Sequence, residues 1–348
     1  MKKIHQAVDL QEAFNKNSDM FSKEDEIVKE IKTLTGFSPE KNIWRSEYWG
    51  RNLGASHWLG DYNGKKAVLK IQGVKPDLSE IYIIGEFSKQ NRSRLIRPPT
   101  IHEKLPWKDH NDYEAIITEY ASGGNVIIDG KIPTREKIAR FLSYYCEYRK
   151  NCIPVESWLP KPEVENDWRT SLDKLIITSQ KAYPNNRLRK KEDLKLAQNA
   201  YQTLSKVYKN VQLEFLHGHF SCKDLIYESK GSDRIILFSN LFWKWRFPFF
   251  DAVFAYHWFM YELANVKNIS SNQVENQRAI WFEEIYKATE AFQSKQKNRL
   301  LKAAFLERAV AGFTLDSFLV DSKKPISEYL YESTKREAQS LIKELNSS

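Results

Sequence analysis

Hydrophobic and polar positions follow different patterns in the two parts of this chain. Before residue 124, apolar residues alternate with polar ones or form short runs, which predicts five strands: 43–49, 56–62, 65–72, 95–102 and 113–120. The dipeptide Asn63-Gly64 separates the second strand from the third, and it favours the tight turn of a β-hairpin. Helical periodicity predicts helices over 23–35 and 77–91. This part of the chain therefore predicts a compact α+β unit.

After Gly124 the pattern becomes that of long helices. Helical periodicity covers the following segments: 134–150, 166–181, 191–210 and, with breaks near 268–271 and 321–325, the residues after 250. Three short strand-like segments interrupt them: 212–216, 225–228 and 234–238. The glycine and serine residues of 121–125 are typical of a hinge. We therefore expect two lobes, 1–121 with a helical extension over 1–40, and 122–348.

Composition supports a packed globular protein. Of the 348 residues, 41% are hydrophobic and 13% aromatic, which is enough to build a large core. No apolar run has the length of a membrane span, and the two lysines at the start precede no apolar signal segment. Cys146, Cys152 and Cys222 form no C-x-x-C pair. These features predict a cytoplasmic protein.

The net charge favours anionic partners. The chain has 54 basic and 45 acidic residues, which gives a formal charge of +9. Nucleotides, phosphorylated metabolites and nucleic acids are all attracted by such a charge, so the charge does not choose among them.

Lys70 is the first candidate for a site. It lies in the third predicted strand (KKAVLKI) with apolar neighbours, where a cation is held rigidly and requires an anionic partner. The competing interpretation is an ordinary exposed lysine of a strand. Glu80 and Glu86 lie on the following predicted helix. We expect Glu86 to be the ion-pair partner, because its separation from Lys70 allows a turn before the helix crosses the sheet.

Three later segments carry the remaining chemistry: 215–227 (FLHGHFSCKDLIY), 235–239 (IILFS) and 248–251 (PFFD). Together with Lys70, and in this order, they resemble the aminoglycoside phosphotransferase and choline kinase family over residues 40–260. In that family the first segment reads H-G-D, with an asparagine after four intervening residues. The second segment ends in a metal-binding aspartate, and the third begins a helix. The catalytic-loop-like region of this chain is therefore 213–251.

The resemblance implies a protein kinase-like fold, α+β in class, with a small antiparallel-sheet lobe followed by a larger, mainly helical lobe. It implies ATP as cofactor, with Lys70 and Glu86 at the phosphates. The adenine would meet the backbone of three hinge residues: Glu119, Tyr120 and Ala121. The acceptor would be the hydroxyl of a small molecule. Asp251 would be structural, capping its helix and holding the catalytic loop by hydrogen bonds.

The sequence departs from the family at two carboxylates. His217 and Gly218 match the motif, but His219 stands at the catalytic aspartate and Asp224 at the asparagine. Ser239 stands at the metal-binding aspartate. Histidine accepts a proton near neutral pH but brings no negative charge. Serine offers only a neutral oxygen, whereas magnesium prefers anionic ones. Magnesium would therefore depend on Asp224, with Ser239 as a weak second ligand.

Three functions remain open at this point. We favour a pseudokinase that binds a nucleotide or a partner with little or no phosphoryl transfer, because two carboxylates are missing. The alternative is an active ATP-dependent small-molecule phosphotransferase, with His219 as base and Asp224 at a rearranged metal site. The third is a nucleic-acid or peptide binding module that uses the aromatic and basic segment 242–250 (FWKWRFPFF). Aromatic packing in the core is the simpler account of that segment.

Overall fold

The computed structural model describes the following residues: 24–45, 55–73, 75, 78–108, 110–111, 113–162, 172–173, 191–290, 296–314, 316 and 325–347. Within them it contains eight α-helices, α1 to α8: Glu24–Thr35, Glu80–Gln90, Arg135–Asn151, Lys191–Tyr208, Phe250–Glu262, Ser271–Ala288, Lys297–Thr314 and Pro325–Ser347. It also contains ten strands, β1 to β10: Ser38–Arg45, Ala55–Tyr62, Lys65–Gln72, Ile96–Arg97, Ile101–Leu105, Glu114–Glu119, Glu214–Leu216, Leu225–Tyr227, Ile235–Leu237 and Lys244–Arg246.

The first lobe is built on a five-stranded antiparallel sheet. Its strand order is β1-β2-β3-β6-β5, so the central strand β3 pairs with β2 and β6. The predicted hairpin is present, with Tyr62 opposite Lys65. Asn63 and Gly64 have φ angles of 53° and 76°, the left-handed values that a two-residue hairpin turn of this kind requires.

Alternation along β3 decides which side chains face the core. Ala67, Leu69 and Ile71 have no exposed surface, and they pack with Val28 and Ile31 of α1. Successive side chains of a strand point to opposite faces of the sheet. Lys70 therefore lies on the face turned away from this core.

The second lobe is mainly helical and contains the larger core. Helix α5 has apolar residues on all sides and is buried along most of its length, as its sequence predicts. Helices α3, α4, α6, α7 and α8 pack around it and around one another. The fold class predicted from the sequence, a small antiparallel-sheet lobe and a larger helical lobe, is confirmed. No helix in the described residues is long and apolar enough to cross a bilayer.

Hydrogen bonds and packing join the two lobes. Strand β4 pairs in parallel with β9, which also pairs with β8, so a strand from the first half of the chain belongs to a sheet of the second. The chain after β6 also follows β8, where Gly123 N–H donates to Tyr227 O at 3.1 Å. Phe87 of α2 packs on Trp243, with ring centroids 5.2 Å apart. The helix α2 is thereby fixed against the second lobe.

Two predicted strands differ from the observed ones. Strand β1 begins at Ser38, earlier than the predicted 43–49, because irregular pairing with β2 obscures the alternation of its residues. The predicted strand 95–102 is two strands separated by Pro98 and Pro99, which have no N–H to donate to a ladder. The end of the first prediction, 46–49, and most of the predicted helix 166–181 lie outside the described residues.

Candidate functional site

Lys70 forms an ion pair with Glu80, the first residue of α2. Both side chains are largely buried, and the Glu80 N–H donates to Glu114 Oε1 at 3.0 Å, which fixes the start of the helix beside β3. The predicted pairing of Lys70 with Glu86 is wrong. Glu86 lies about 9 Å further along the helix axis and pairs with Lys89 at 3.8 Å.

A histidine that the motif analysis missed lies beside Lys70. His57 of β2 is directly opposite Lys70 of β3, so both side chains are on the same face of the sheet. Burial and the charge of Lys70 lower the pKa of His57 to about 3, which keeps the imidazole neutral. The sequence contains the signal for this pairing, because counting back from the hairpin turn places position 57 opposite position 70.

The loop between β7 and β8 requires glycine at position 218. Gly218 has a φ angle of +73°, and a Cβ there would lie 2.4 Å from the carbonyl oxygen of Phe242. Beside it, His217 is fully buried, and burial lowers its pKa to about 3. The loop is thus held close to the segment that follows β9.

Asp251 holds this loop through a tyrosine. The hydroxyl of Tyr148 accepts from the His217 N–H at 2.7 Å and donates to Asp251 Oδ2 at 2.8 Å. Both Tyr148 and Asp251 have no exposed surface, and burial raises the pKa of Asp251. The predicted capping role of Asp251 is wrong, because the capping position of α5 is Phe249 and Asp251 lies within the first turn.

Asp224 is the centre of the site. Its Oδ2 is 2.8 Å from His219 Nδ1 and accepts from the Ser221 hydroxyl at 2.5 Å, while its Oδ1 accepts from the Ser239 hydroxyl at 2.5 Å. Burial opposes ionisation of Asp224, but the charge of His219 and these hydrogen bonds lower its pKa below the usual value. The sequence-predicted residues His219, Asp224 and Ser239 are therefore in direct contact. Ser221, which the motif analysis did not single out, is the third donor.

This arrangement does not fit a magnesium ion. Both carboxylate oxygens of Asp224 are engaged by side-chain partners, and the Ser239 oxygen beside them carries no charge. Within the part of the chain that the structure describes, no group of three or more histidine, cysteine, aspartate or glutamate side chains is arranged to hold a metal. Magnesium prefers several oxygen ligands with anionic character.

The imidazole of His219 is fixed between aromatic rings. It stacks on Phe242 at a centroid distance of 4.4 Å and lies 4.8 Å from the ring of Phe254. Its side chain remains 29% exposed. Since Nδ1 is bonded to Asp224, the other ring nitrogen, Nε2, is the one available to a ligand.

The predicted hinge residues lie at the junction of the lobes. The carboxylate of Glu119 accepts from Arg97 Nη2 at 2.7 Å, and Arg97 also donates to Glu228 Oε1 at 2.6 Å. Arg97 thus links β6 of the first lobe to the chain after β8. Tyr120 and Ala121 follow outside any helix or strand, and Tyr120 is 45% exposed.

The aromatic segment 242–250 is largely packed in the protein. Trp243, Phe249 and Phe250 are buried, and Trp243 contacts Phe87 and Tyr148. These rings are not available for stacking with nucleic-acid bases. The observation favours core packing as the account of this segment.

Solved structures of the same fold were found, whereas no family model and no curated protein sequence matches the chain. Aminoglycoside phosphotransferase APH(4)-Ia has a TM-score of 0.55 at 10% identity, covering 92% of this chain and 98% of its own. Amicoumacin kinase hAmiN, in complex with AMP-PNP, Ca²⁺ and Ami, has a TM-score of 0.56 at 12% identity, covering 91% and 93%. Spectinomycin phosphotransferase APH(9)-Ia, in complex with ADP and spectinomycin, has a TM-score of 0.54 at 10% identity, covering 91% and 98%.

The likeness extends over nearly the full length of both chains, while the sequences have diverged almost completely. It agrees with the observed order of elements, in which the antiparallel sheet precedes the helical lobe. This chain therefore has the two-lobed, protein kinase-like fold of the aminoglycoside phosphotransferases.

Proposed function

We propose that this protein is a pseudokinase of the aminoglycoside phosphotransferase type, which binds a nucleotide between its lobes and transfers little or no phosphoryl group. The observation that carries the proposal is that Asp224 is already bonded to His219, Ser221 and Ser239. A carboxylate held in this way stabilises the loop. Three of its about four acceptor positions are occupied, so it has little capacity left for a metal.

The nucleotide part of the proposal rests on Lys70. A largely buried lysine that is held by an ion pair with Glu80 is a suitable ligand for the phosphates of a nucleotide. Glu80 would keep the ammonium group in place as the phosphates arrive. The related proteins solved with ADP or AMP-PNP make ATP the first nucleotide to test. When bound, ATP would supply the phosphoryl group for any residual transfer.

A second candidate is an active phosphotransferase that acts on a small-molecule hydroxyl. The observation in its favour is the contact between His219 Nδ1 and Asp224 Oδ2 at 2.8 Å. A carboxylate that accepts from one ring nitrogen orients the imidazole and favours the tautomer whose other nitrogen accepts a proton. In this candidate His219 Nε2 takes the proton of the acceptor hydroxyl, and Asp224 is a positioning residue.

Nucleotide binding is tested by thermal unfolding of the full chain with AMP-PNP, with and without magnesium. A ligand at 100 times its Kd adds about 2.7 kcal/mol to the free energy of unfolding. We expect stabilisation that does not require magnesium and is lost in Lys70→Met. The matched control is Lys66→Met, which removes an exposed lysine of the same strand. An unchanged melting temperature in the wild type would contradict nucleotide binding.

Turnover distinguishes the two candidates. We expect no ATP hydrolysis or transfer by the wild type, and measurable hydrolysis after restoring both carboxylates with His219→Asp and Ser239→Asp. Losing a general base typically costs about 10²–10⁴ in rate. If the wild type turns over ATP and His219→Asn reduces the rate by such a factor, the second candidate replaces the first.

A further inference from the structure

Three cations form a cluster on the second lobe: Lys244, Arg246 and Arg308. Lys244 and Arg246 are two positions apart on β10, so their side chains share one face of the strand. Arg246 lies over the ring of Phe250 at 4.2 Å, and Arg308 of α7 lies 5.8 Å from the same ring centroid. We call these three residues the β10 cation cluster.

Within the described residues, one of the three cations has a direct ion-pair partner. Arg308 pairs with Asp316 at 2.6 Å, and Asp316 also bonds to His257. For Lys244 and Arg246, the described part of the chain supplies no carboxylate within ion-pair distance.

Two further carboxyl groups influence the cluster from a longer distance. They are Glu307, which attracts both Lys244 and Arg246, and Asp251, which attracts Arg246. Tyr208 donates to Glu307 at 3.2 Å, so this carboxylate already has a partner. Glu307 and Asp251 therefore offset part of the charge of Lys244 and Arg246 without forming an ion pair with either of them in the described residues.

Burial makes the lack of a direct ion pair costly for Lys244 and Arg246. Burial and the charge of Arg246 lower the pKa of Lys244 well below its usual value. Burial also lowers the pKa of Arg246 to about 10, with Arg308 acting in the same direction. The Nε atoms of Arg246 and Arg308 are both buried without a hydrogen-bond partner. Desolvated cations beside one another are stabilised by an anion that bonds to them.

The cluster lies next to the loop that carries His219. The Lys244 side chain is 3.5 Å from the position that a Cβ on Gly218 would occupy. Arg308 lies 5.0 Å from the ring centroid of Phe254, and the ring of His219 lies 4.8 Å from that same ring. The cluster and the imidazole therefore share the ring of Phe254 as a neighbour.

We propose that the β10 cation cluster binds the oxyanion group of a small molecule, a phosphate or a carboxylate, so that the molecule recognised beside His219 is an anion. The fork of Arg246 suits two parallel hydrogen bonds to such a group, and Lys244 adds a point charge. This site is separate from Lys70. It goes beyond the proposed function and does not require that a nucleotide binds.

Calorimetric titration of the full chain with two anions and one neutral molecule tests this proposal. The probes are glycerol 3-phosphate, succinate and glycerol. We expect heat of binding with at least one anion and none with glycerol, and the stronger anion identifies the group as phosphate or carboxylate. We expect Lys244→Met to weaken binding at least tenfold, and Arg246→Lys to weaken it because the planar fork is lost. Both variants keep most of the side-chain volume.

The matched control is Lys161→Met, the same substitution at an exposed lysine. Lys161 lies 5.4 Å from the ring of Trp245, which is a residue of β10. It should bind the anion as tightly as the wild type. Lys70→Met should also bind it, whether or not nucleotide binding is lost, which separates this proposal from the first. No binding of either anion by the wild type, or equal affinity in folded Lys244→Met, would overturn the proposal and leave the cluster with a packing role alone.

Discussion

The substitution Tyr148→Phe removes the side-chain hydrogen bonds that hold the loop between β7 and β8. The hydroxyl is fully buried, accepts from the His217 N–H and donates to Asp251. The ring itself stays in contact with Phe220, 4.8 Å between centroids, so packing is preserved. The variant therefore removes one oxygen atom and two hydrogen bonds.

The expected cost follows from the two groups left without a partner. A buried N–H that loses its acceptor costs about 1–3 kcal/mol, and a hydrogen bond to a charged group contributes about 1.5–3 kcal/mol. We therefore expect Tyr148→Phe to lower the free energy of unfolding by about 2.5–6 kcal/mol. Urea denaturation followed by tryptophan fluorescence measures this loss, provided that the slope with urea is unchanged.

Tyr144→Phe provides a matched control, one turn earlier on α3. Its hydroxyl donates to the backbone carbonyl of Asp233 at 2.8 Å, in a surface turn, and bonds no buried carboxylate among the described residues. The loss there should be about 1 kcal/mol, the typical net value of one neutral hydrogen bond. Equal losses in the two variants, or a loss below about 1 kcal/mol for Tyr148→Phe, would refute the idea that this hydroxyl joins Asp251 to the loop.

Three further changes test other parts of the site. Gly218→Ala should lower the free energy of unfolding by about 3 kcal/mol or more, because the new Cβ would meet a backbone carbonyl. Gly231→Ala is the control, because Gly231 has a similar φ angle and open space around it, and its loss in the same urea assay should be about 1 kcal/mol. His217 and His257 are buried, and burial lowers their pKa values to about 3 and 4, compared with about 6.5 in the unfolded chain. Between the folded and the unfolded pKa, the unfolded state therefore binds more protons than the folded state. The free energy of unfolding should therefore fall as the pH drops from 6.5 to 4, by up to about 1.4 kcal/mol per pH unit per histidine, and a flat profile would contradict this. Arg97→Met should weaken the link between the lobes, seen as faster limited proteolysis near 121–125, and an unchanged cleavage rate would argue against that link.

Local signals predicted the fold well where they were strong. The dipeptide Asn63-Gly64 and the alternation in 65–72 give the hairpin, its register and the face on which Lys70 lies. The order of the motifs predicts the two lobes. The hairpin depends on residues next to one another, and each motif is itself a short segment, which is why sequence reasoning reaches them.

Features that depend on distant contacts were harder to predict. Strand β4 is two residues long and pairs with β9 about 140 positions later, which no local pattern reveals. The choice between Glu80 and Glu86 depends on where α2 begins relative to β3, a matter of tertiary packing. Similarly, the positions of Asp224 and its partners in the sequence do not show that they meet. The folded loop brings His219, Ser221 and Ser239 into contact with the Asp224 carboxylate.

The ion pair of Lys70 and Glu80 joins two bodies that have separate cores. Lys70 lies on β3, whose buried residues pack in the core of the first lobe. Helix α2, which carries Glu80, buries Ile83 and Phe87 in the core of the second lobe. A tilt of the sheet against the helical body would therefore lengthen this ion pair, together with the hydrogen bond from the Glu80 N–H to Glu114. The distance between Lys70 Nζ and the Glu80 carboxylate therefore indicates how far the two lobes have separated.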